Sequence, residues 1–339
     1  MKFSLPRPEF TAIMQGAAAL CFLFSAAGCQ RADAPEAEPV AVDARPNVIV
    51  VVVDTLRQDA LRTYAENAQA LPALDAFSAR AAVFENALAT SSWTLPSVTS
   101  MLTGMYPDRH GVAHPRLALP EGVQTIATAA HEAGYETVMF SDGVYVSTQF
   151  GLAPGFDWFN DESTPDARAM PDLPRGGEPH PVPGTTLFDR GLHYLNAREP
   201  GDKPFFLMLH TYSVHDYFRE HPWATAEVGE RPVMEAEGIF CLIDNSFCVD
   251  GIWPYFEALY DAEIRYLDKV FDTLMSTLDA RGLTDSTYVL LTSDHGEGFD
   301  PENGRVHHGG RLHEDVIRIP FLLAGPDVAP RRIADPVSL

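Results

Sequence analysis

The run Val48 to Val53, six consecutive β-branched residues ending on Asp54, is the strongest constraint on the fold of this chain. Similar apolar runs recur at Glu136 to Phe140, Phe205 to Leu209, Tyr288 to Thr292 and Pro320 to Ala324, with helical stretches between them. Apolar runs of that kind fit strands covered on both faces, and their alternation with helices predicts a largely parallel sheet. The fold class expected is therefore α/β, doubly wound, with helices on both faces. The clearest helix is predicted over Phe256 to Ala280. There Leu259, Ala262, Tyr266, Val270, Leu274 and Leu278 keep a 3–4 spacing, and Gly282 follows as a stop. Met101 and Leu102 after Pro96 predict a second helix, with the proline near its first turn.

Composition narrows the function classes. A 46% hydrophobic, 10% aromatic chain of 339 residues can bury a sizeable core. Its net charge of −23 argues against nucleic acid, whose phosphates demand clustered Lys and Arg. It leaves an anionic substrate open, because a bound cation reverses the sign inside a cleft.

Three domains follow from the chain's organisation. Residues 1–28 read as an export signal: Lys2 and Arg7 precede an apolar stretch from Ala12 to Ala27, too short for a membrane span of about 20 residues. Ala26-Ala27-Gly28-Cys29 resembles the bacterial lipobox, which makes Cys29 a lipidated first residue. Residues 29–45, rich in Ala, Pro and Glu, read as a solvated tether to a membrane surface. That expectation places the protein in a bacterial envelope, facing the periplasm. Residues 46–339 are expected to form one folded domain. Two excursions from the sheet are expected, Asn160 to Pro183 and Arg219 to Pro254. The second contains Cys241 and Cys248, most simply a disulfide, worth about 2.5 kcal/mol for so short a loop.

The polar residues at the ends of these elements carry the chemistry. Asp54 and Asp294 each follow a strand, where open α/β sheets place their sites. Asp294-His295 offers an oxygen and an imidazole side by side, a pair suited to Zn²⁺, Mn²⁺, Mg²⁺ or Ca²⁺. Thr94, in Thr94-Leu95-Pro96-Ser97, sits at the mouth of the predicted helix. A threonine there is an ordinary cap or turn residue, as Asp54 is an ordinary N-cap. Beside metal ligands, however, its hydroxyl becomes a candidate nucleophile, because a cation lowers the pKa of an oxygen bound to it.

Together these segments resemble the sulfatase family of the alkaline phosphatase superfamily over residues 46–339. The motifs that carry the resemblance are PNVIVVVVDTLRQD, LPALDAFSARAAVFENALA, TLPSVTSMLTGMYPDRHGV, the long helix leading into TYVLLTSDHGEGF, and HHGGRLHEDVIRIPFLL. The resemblance implies an alkaline phosphatase-like fold. It also implies one divalent cation held by Asp54, Thr94, Asp294 and His295, a substrate-side His215, and His308 at the leaving ester oxygen. His110, His210, His307 and His313 are left as structural.

The departures from the pattern matter. Sulfatases convert a Cys or Ser into formylglycine, and Thr94 cannot become that aldehyde. The arginine two positions after the signature proline is Val98, and the second residue of the usual Asp-Asp pair is Thr55. A threonine ester must be released by attack at the central atom, which suits phosphorus better than sulfur. Asp-His instead of Asp-Asn also resembles phosphonate-ester hydrolases and phosphoethanolamine or phosphoglycerol transferases. A second zinc is not expected, since Thr211 stands where an Asp-x-x-x-His pair needs its aspartate. The family typically continues past Leu339 into a C-terminal subdomain, so that part is expected to be absent or truncated. The function expected is hydrolysis of sulfuric or phosphoric esters on a small molecule, glycan or lipid. Group transfer to a lipid or glycan, and a non-catalytic binding lipoprotein, are the alternatives.

Overall fold

The computed structural model describes residues 45–160, 185–219, 221–229, 253–300 and 305–339. Cys29 and its tether, most of the first excursion, and Cys241 with Cys248 lie outside the described residues.

Among the described residues the strands are β1 (Asn47–Val53), β2 (Ala82–Phe84), β3 (Ala87–Leu88), β4 (Glu136–Ser141), β5 (Trp158–Asn160), β6 (Phe205–Thr211), β7 (Thr287–Thr292), β8 (Phe299–Asp300), β9 (Arg305–Val306), β10 (Phe321–Ala324), β11 (Arg331–Ile333) and β12 (Val337–Ser338). Eight of them form one sheet in the order β11-β2-β10-β7-β1-β6-β4-β5. All pairings in it are parallel except those of β10, which runs antiparallel to β7 and β2. The doubly wound, largely parallel sheet expected from the apolar runs is present.

The helices are α1 (Pro72–Ala79), α2 (Thr94–Thr103), α3 (Pro107–His110), α4 (Ile126–Glu132), α5 (Thr185–Ala197), α6 (Pro222–Val228), α7 (Trp253–Ala280) and α8 (Glu314–Ile317). Strand β1 explains why both faces of the sheet need cover. Ile49, Val51 and Val53 join a core with Leu74 and Phe77 of α1, Leu195 of α5 and Phe271 of α7. Val50 and Val52 join the opposite core, with Leu95 and Val98 of α2, Ala127 of α4 and Met139 of β4. Val98, which stands where the family signature has an arginine, is fully buried there. Its neighbours are apolar, a setting in which an unpaired charge is costly.

Helix α7 begins three residues before the expected Phe256 and ends at Ala280. Its buried stripe passes through Leu259, Ala262, Leu267, Phe271, Leu274 and Leu278. The expected Tyr266 and Val270 are only half-buried. Over seven turns the 3.6-residue period carries the buried stripe to the next position along. No helix among the described residues is long and apolar enough to cross a membrane.

Candidate metal and active site

The site lies at the carboxyl ends of three adjacent strands, β7, β1 and β6. Asp54 follows β1 directly, and its amide donates to the Thr211 carbonyl of β6 at 2.9 Å. Thr55, at φ 62°, then turns the chain. A β-branched residue in the left-handed region is strained, and such strain persists where surrounding contacts fix it. Here they do: the Thr55 hydroxyl donates to the Asp54 carbonyl at 2.7 Å, and its own carbonyl accepts from Tyr260 at 2.8 Å. The hydroxyl that stands in for a second acidic ligand is thus engaged with the backbone.

Thr94 is the first residue of α2, and Trp93 occupies the capping position without a side-chain cap. The Thr94 hydroxyl donates to Asp54 Oδ2 at 3.1 Å and lies 3.4 Å from His295 Nε2. It faces the acidic residues and is not a helix cap. Asp54 is likewise no cap, because a strand ends beside it and a turn follows.

From the end of β7, Asp294 and His295 complete the cluster. Asp294 Oδ1 accepts the His295 amide at 2.9 Å, while Oδ2 lies 3.3 Å from His295 Nε2. The His295 ring is oriented by its other nitrogen. Nδ1 donates to the Gly296 carbonyl at 3.0 Å, so Nε2 carries the lone pair that faces Thr94 and the two aspartates.

Asp54, Asp294 and His295 are fully buried, and Thr94 is 2% exposed. Burial, and then the Asp294 charge, hold the Asp54 carboxyl well above the usual carboxylate range. Asp54 Oδ1 and Asp294 Oδ2 are buried without hydrogen-bond partners. Orphaned carboxylate oxygens of this kind cost on the order of 1–3 kcal/mol each. The oxygens and nitrogen stand 3.1–3.7 Å apart. Neighbouring ligands take such spacings around one cation when the bonds are about 2.0–2.2 Å. The donor set fits a divalent cation: Asp54, Thr94, Asp294 and His295 are brought together as expected.

His215 and His308 form an adjoining wall. Their rings lie 5.2 Å apart in a T-shaped contact, and the His308 ring is 4.4 Å from that of His295. His215 Nδ1 pairs with Asp216 Oδ1 at 3.0 Å, and its ring stacks on Tyr212 at 4.7 Å. His308 Nδ1 pairs with Glu297 Oε1 at 3.3 Å. Burial, with His295, His307 and His215 around it, pushes the His308 imidazole well below its ordinary value.

Four residues outside the sequence expectation belong to this neighbourhood. Glu297 orients His308. Tyr212, buried and stacked on His215, has its pKa pushed up by burial and then by the Asp54 charge. His210, read from sequence as structural, groups with Asp54 and Asp294 as a set able to hold a metal. His307 also departs from that reading, because it clusters with Glu297 and His308. His110 does remain structural: its ring bonds to Ser100 at 3.1 Å and accepts the Val112 amide at 3.0 Å.

Comparison with known proteins fits this geometry. A family model described as sulfatase matches residues 46–339. An ulvan-active sulfatase of Formosa agariphila is 27% identical over 305 residues, 84% of this chain and 57% of that protein. An arylsulfatase of Clostridium perfringens is 24% identical across 83% of this chain and 69% of its own length. This chain therefore spans little more than half of the first relative and about two thirds of the second. A phosphonate monoester hydrolase of Agrobacterium radiobacter shares the fold, with a TM-score of 0.65 at 18% identity, covering 87% of this chain and 71% of that structure. On the family match and on the strand-end geometry that accompanies it, the chain belongs to the sulfatase family.

Proposed function

We propose that this protein is a divalent-metal-dependent hydrolase of sulfuric or phosphoric ester bonds, with phosphate or phosphonate esters preferred and Thr94 as nucleophile. The observation that carries the reading is the Thr94 hydroxyl, turned away from its own helix and into the Asp54–Asp294–His295 cluster.

A cation bound there lowers the pKa of the Thr94 hydroxyl and offsets charge on the ester oxygens. Thr94 Oγ then attacks the central atom as its proton passes to Asp54 Oδ2, which accepts it at 3.1 Å, and the new O–P bond forms as the bond to the leaving alcohol breaks. His215, held through Nδ1 by Asp216, takes the proton-donor role at the departing oxygen that the resemblance gives to His308, because a neutral His308 with Nδ1 on Glu297 offers only a lone pair at Nε2. His308 lies beside His295, and its Nδ1 is anchored by Glu297. In the second step water attacks the central atom, His215 takes a proton from it, and the bond to Thr94 breaks as Asp54 returns the proton to Thr94 Oγ. Phosphorus is favoured over sulfur because a threonine ester can leave only by displacement. The names of the two relatives make sulfate esters the first comparison.

Export and lipid attachment at Cys29, with residues 29–45 tethering the domain to the periplasmic side of a membrane, belong to the same proposal. They are supported by the sequence Ala26-Ala27-Gly28-Cys29. Palmitate labelling of the full chain that persists in Cys29→Ala would overturn the anchor.

The test is intact-mass spectrometry of the metal-loaded protein during turnover of aryl phosphate, phosphodiester, phosphonate and sulfate esters. A phosphoryl or phosphonyl adduct that vanishes in Thr94→Ala is expected. Turnover undiminished in Thr94→Ala would sink the nucleophile, and sulfate cleaved as fast as phosphate would sink the preference.

A further inference from the structure

His210 is the penultimate residue of β6 and pairs in register with Val52 of β1, two residues before Asp54. It is fully buried, and neither ring nitrogen has a hydrogen-bond partner. A buried imidazole kept only for shape or polarity still satisfies at least one nitrogen. The other histidines of the neighbourhood do so: His295 through Gly296, His308 through Glu297 and His215 through Asp216. His210 Nε2 instead lies 3.8 Å from Asp54 Oδ2, and a His210 ring nitrogen falls within 4.8 Å of ligating oxygens of both Asp54 and Asp294. The two aspartate oxygens left without partners, Asp54 Oδ1 and Asp294 Oδ2, belong to those same residues. Three side chains from three adjacent strands thus leave their lone pairs unmet in one place.

We propose that His210 is a further protein ligand of the cation, so that the centre carries two imidazoles and selects a transition ion, Zn²⁺ or Mn²⁺, over Ca²⁺. This assignment rests on the metal-dependent reading of the site and goes beyond it by naming the extra ligand and the class of ion. The chemical reason is ligand hardness. Ca²⁺ takes oxygen donors and gains little from imidazole, whereas imidazole nitrogen suits Zn²⁺ and its neighbours. Thr55, whose hydroxyl is turned to the Asp54 carbonyl, leaves the place of a second carboxylate to be filled by another donor.

The experiment uses the full chain, stripped of metal, with His210→Phe and His210→Ala compared with wild type. Zn²⁺ and Ca²⁺ binding are measured by chelator competition and calorimetry. The expected result is a loss of Zn²⁺ affinity of about a hundredfold in both variants, with Ca²⁺ affinity changed less than about threefold. Metal-free His210→Phe, which fills the same space, should unfold no more easily than metal-free wild type, because an unpartnered polar ring has been replaced by an apolar one. A merely structural histidine gives the opposite pattern, with metal-free stability lost and Zn²⁺ affinity kept. A second readout needs no substitution: wild type with ¹⁵N-labelled histidines and bound ¹¹³Cd²⁺ should show metal coupling to two imidazole nitrogens. Coupling to one only, or unchanged Zn²⁺ affinity in both variants, overturns the role of His210. Asp294→Ala separates the two levels. If it still binds Zn²⁺ as wild type does, the metal centre itself is refuted; if it loses Zn²⁺ while the His210 variants keep it, only this inference fails.

Discussion

Ser97 Oγ donates to the carbonyl oxygen of Asp294 at 2.6 Å, joining the helix that carries Thr94 to the strand end that carries Asp294 and His295, two of the proposed metal ligands. Both residues are fully buried. The bond fixes the distance between the proposed nucleophile and the proposed ligands, which neither element sets alone. Ser97→Ala leaves the buried Asp294 carbonyl short of a donor, at a cost of about 1–3 kcal/mol. The expected outcome in denaturant unfolding is a stability loss of that size. Adduct formation at Thr94 should slow about tenfold or more, because a small misplacement of a nucleophile is expensive in rate. A stability loss with an unchanged single-turnover rate would show that the bond supports the fold and not the site.

Gly296, between His295 and Glu297, is required by a close approach. A Cβ there would lie 2.0 Å from the Asp315 carbonyl oxygen, and the Gly296 amide donates to the Val316 carbonyl at 2.7 Å. The backbone of α8 itself therefore presses directly on the turn that aims His295. Gly296→Ala is expected to destabilise by about 2–3 kcal/mol through overpacking. It should also weaken cation binding, since the His295 ring is oriented by the Gly296 carbonyl. Calorimetric titration of the stripped variant checks this, and wild-type affinity would rule the coupling out.

Much of this arrangement was legible in the sequence, and the gaps have physical causes. The apolar runs gave β1, β4, β6, β7 and β10 to within one or two residues, because buried strands need unbroken apolar character. Asp54, Thr94, Asp294 and His295 were legible because each follows or opens a regular element. The short edge strand β11 and the two-residue β12 carry too few residues for a periodic signal. His210 escaped for a different reason. All seven residues of β6 are buried, so the alternation that tells which way a strand residue points is missing. A histidine at the end of such a run gives no sign of its direction until β1 is set beside it. Glu297 was hidden likewise, since its partner His308 lies eleven residues on, beyond a strand pairing.

Cation removal should expose the titration of His210. Burial pushes its pKa down to about 4 in the metal-free fold, against an unfolded value near 6.5. Below 6.5 the unfolded chain takes up a proton that the fold does not, so stability falls with falling pH until about 4. The loss over that window is on the order of 3 kcal/mol. Asp54 works in the other direction, because its raised pKa favours the protonated fold as pH falls. Subtraction isolates the histidine: metal-free His210→Phe should gain stability relative to metal-free wild type between pH 6.5 and 4. Parallel stability curves for the two proteins would contradict the assignment of a buried neutral imidazole.

Glu297 gives the sharpest test of the histidine wall. Its Oε1 accepts the Gly298 amide at 3.0 Å and faces His308 Nδ1 at 3.3 Å, and its Oε2 faces the Tyr217 hydroxyl at 3.5 Å. A carboxylate can only accept, so it fixes the proton of neutral His308 on Nδ1 and leaves Nε2 as the free lone pair. Glu297→Gln keeps the shape and can still receive the Gly298 amide, but its amide group no longer dictates the tautomer. The expected result is a fall in kcat of about tenfold with a smaller change in KM, as for a group that orients a catalytic side chain. The ¹⁵N resonances of His308 should move from a single tautomer toward a mixture in the same variant. If kcat drops while the tautomer stays fixed, Glu297 acts through its charge on the ester group, and its hold on the ring is incidental.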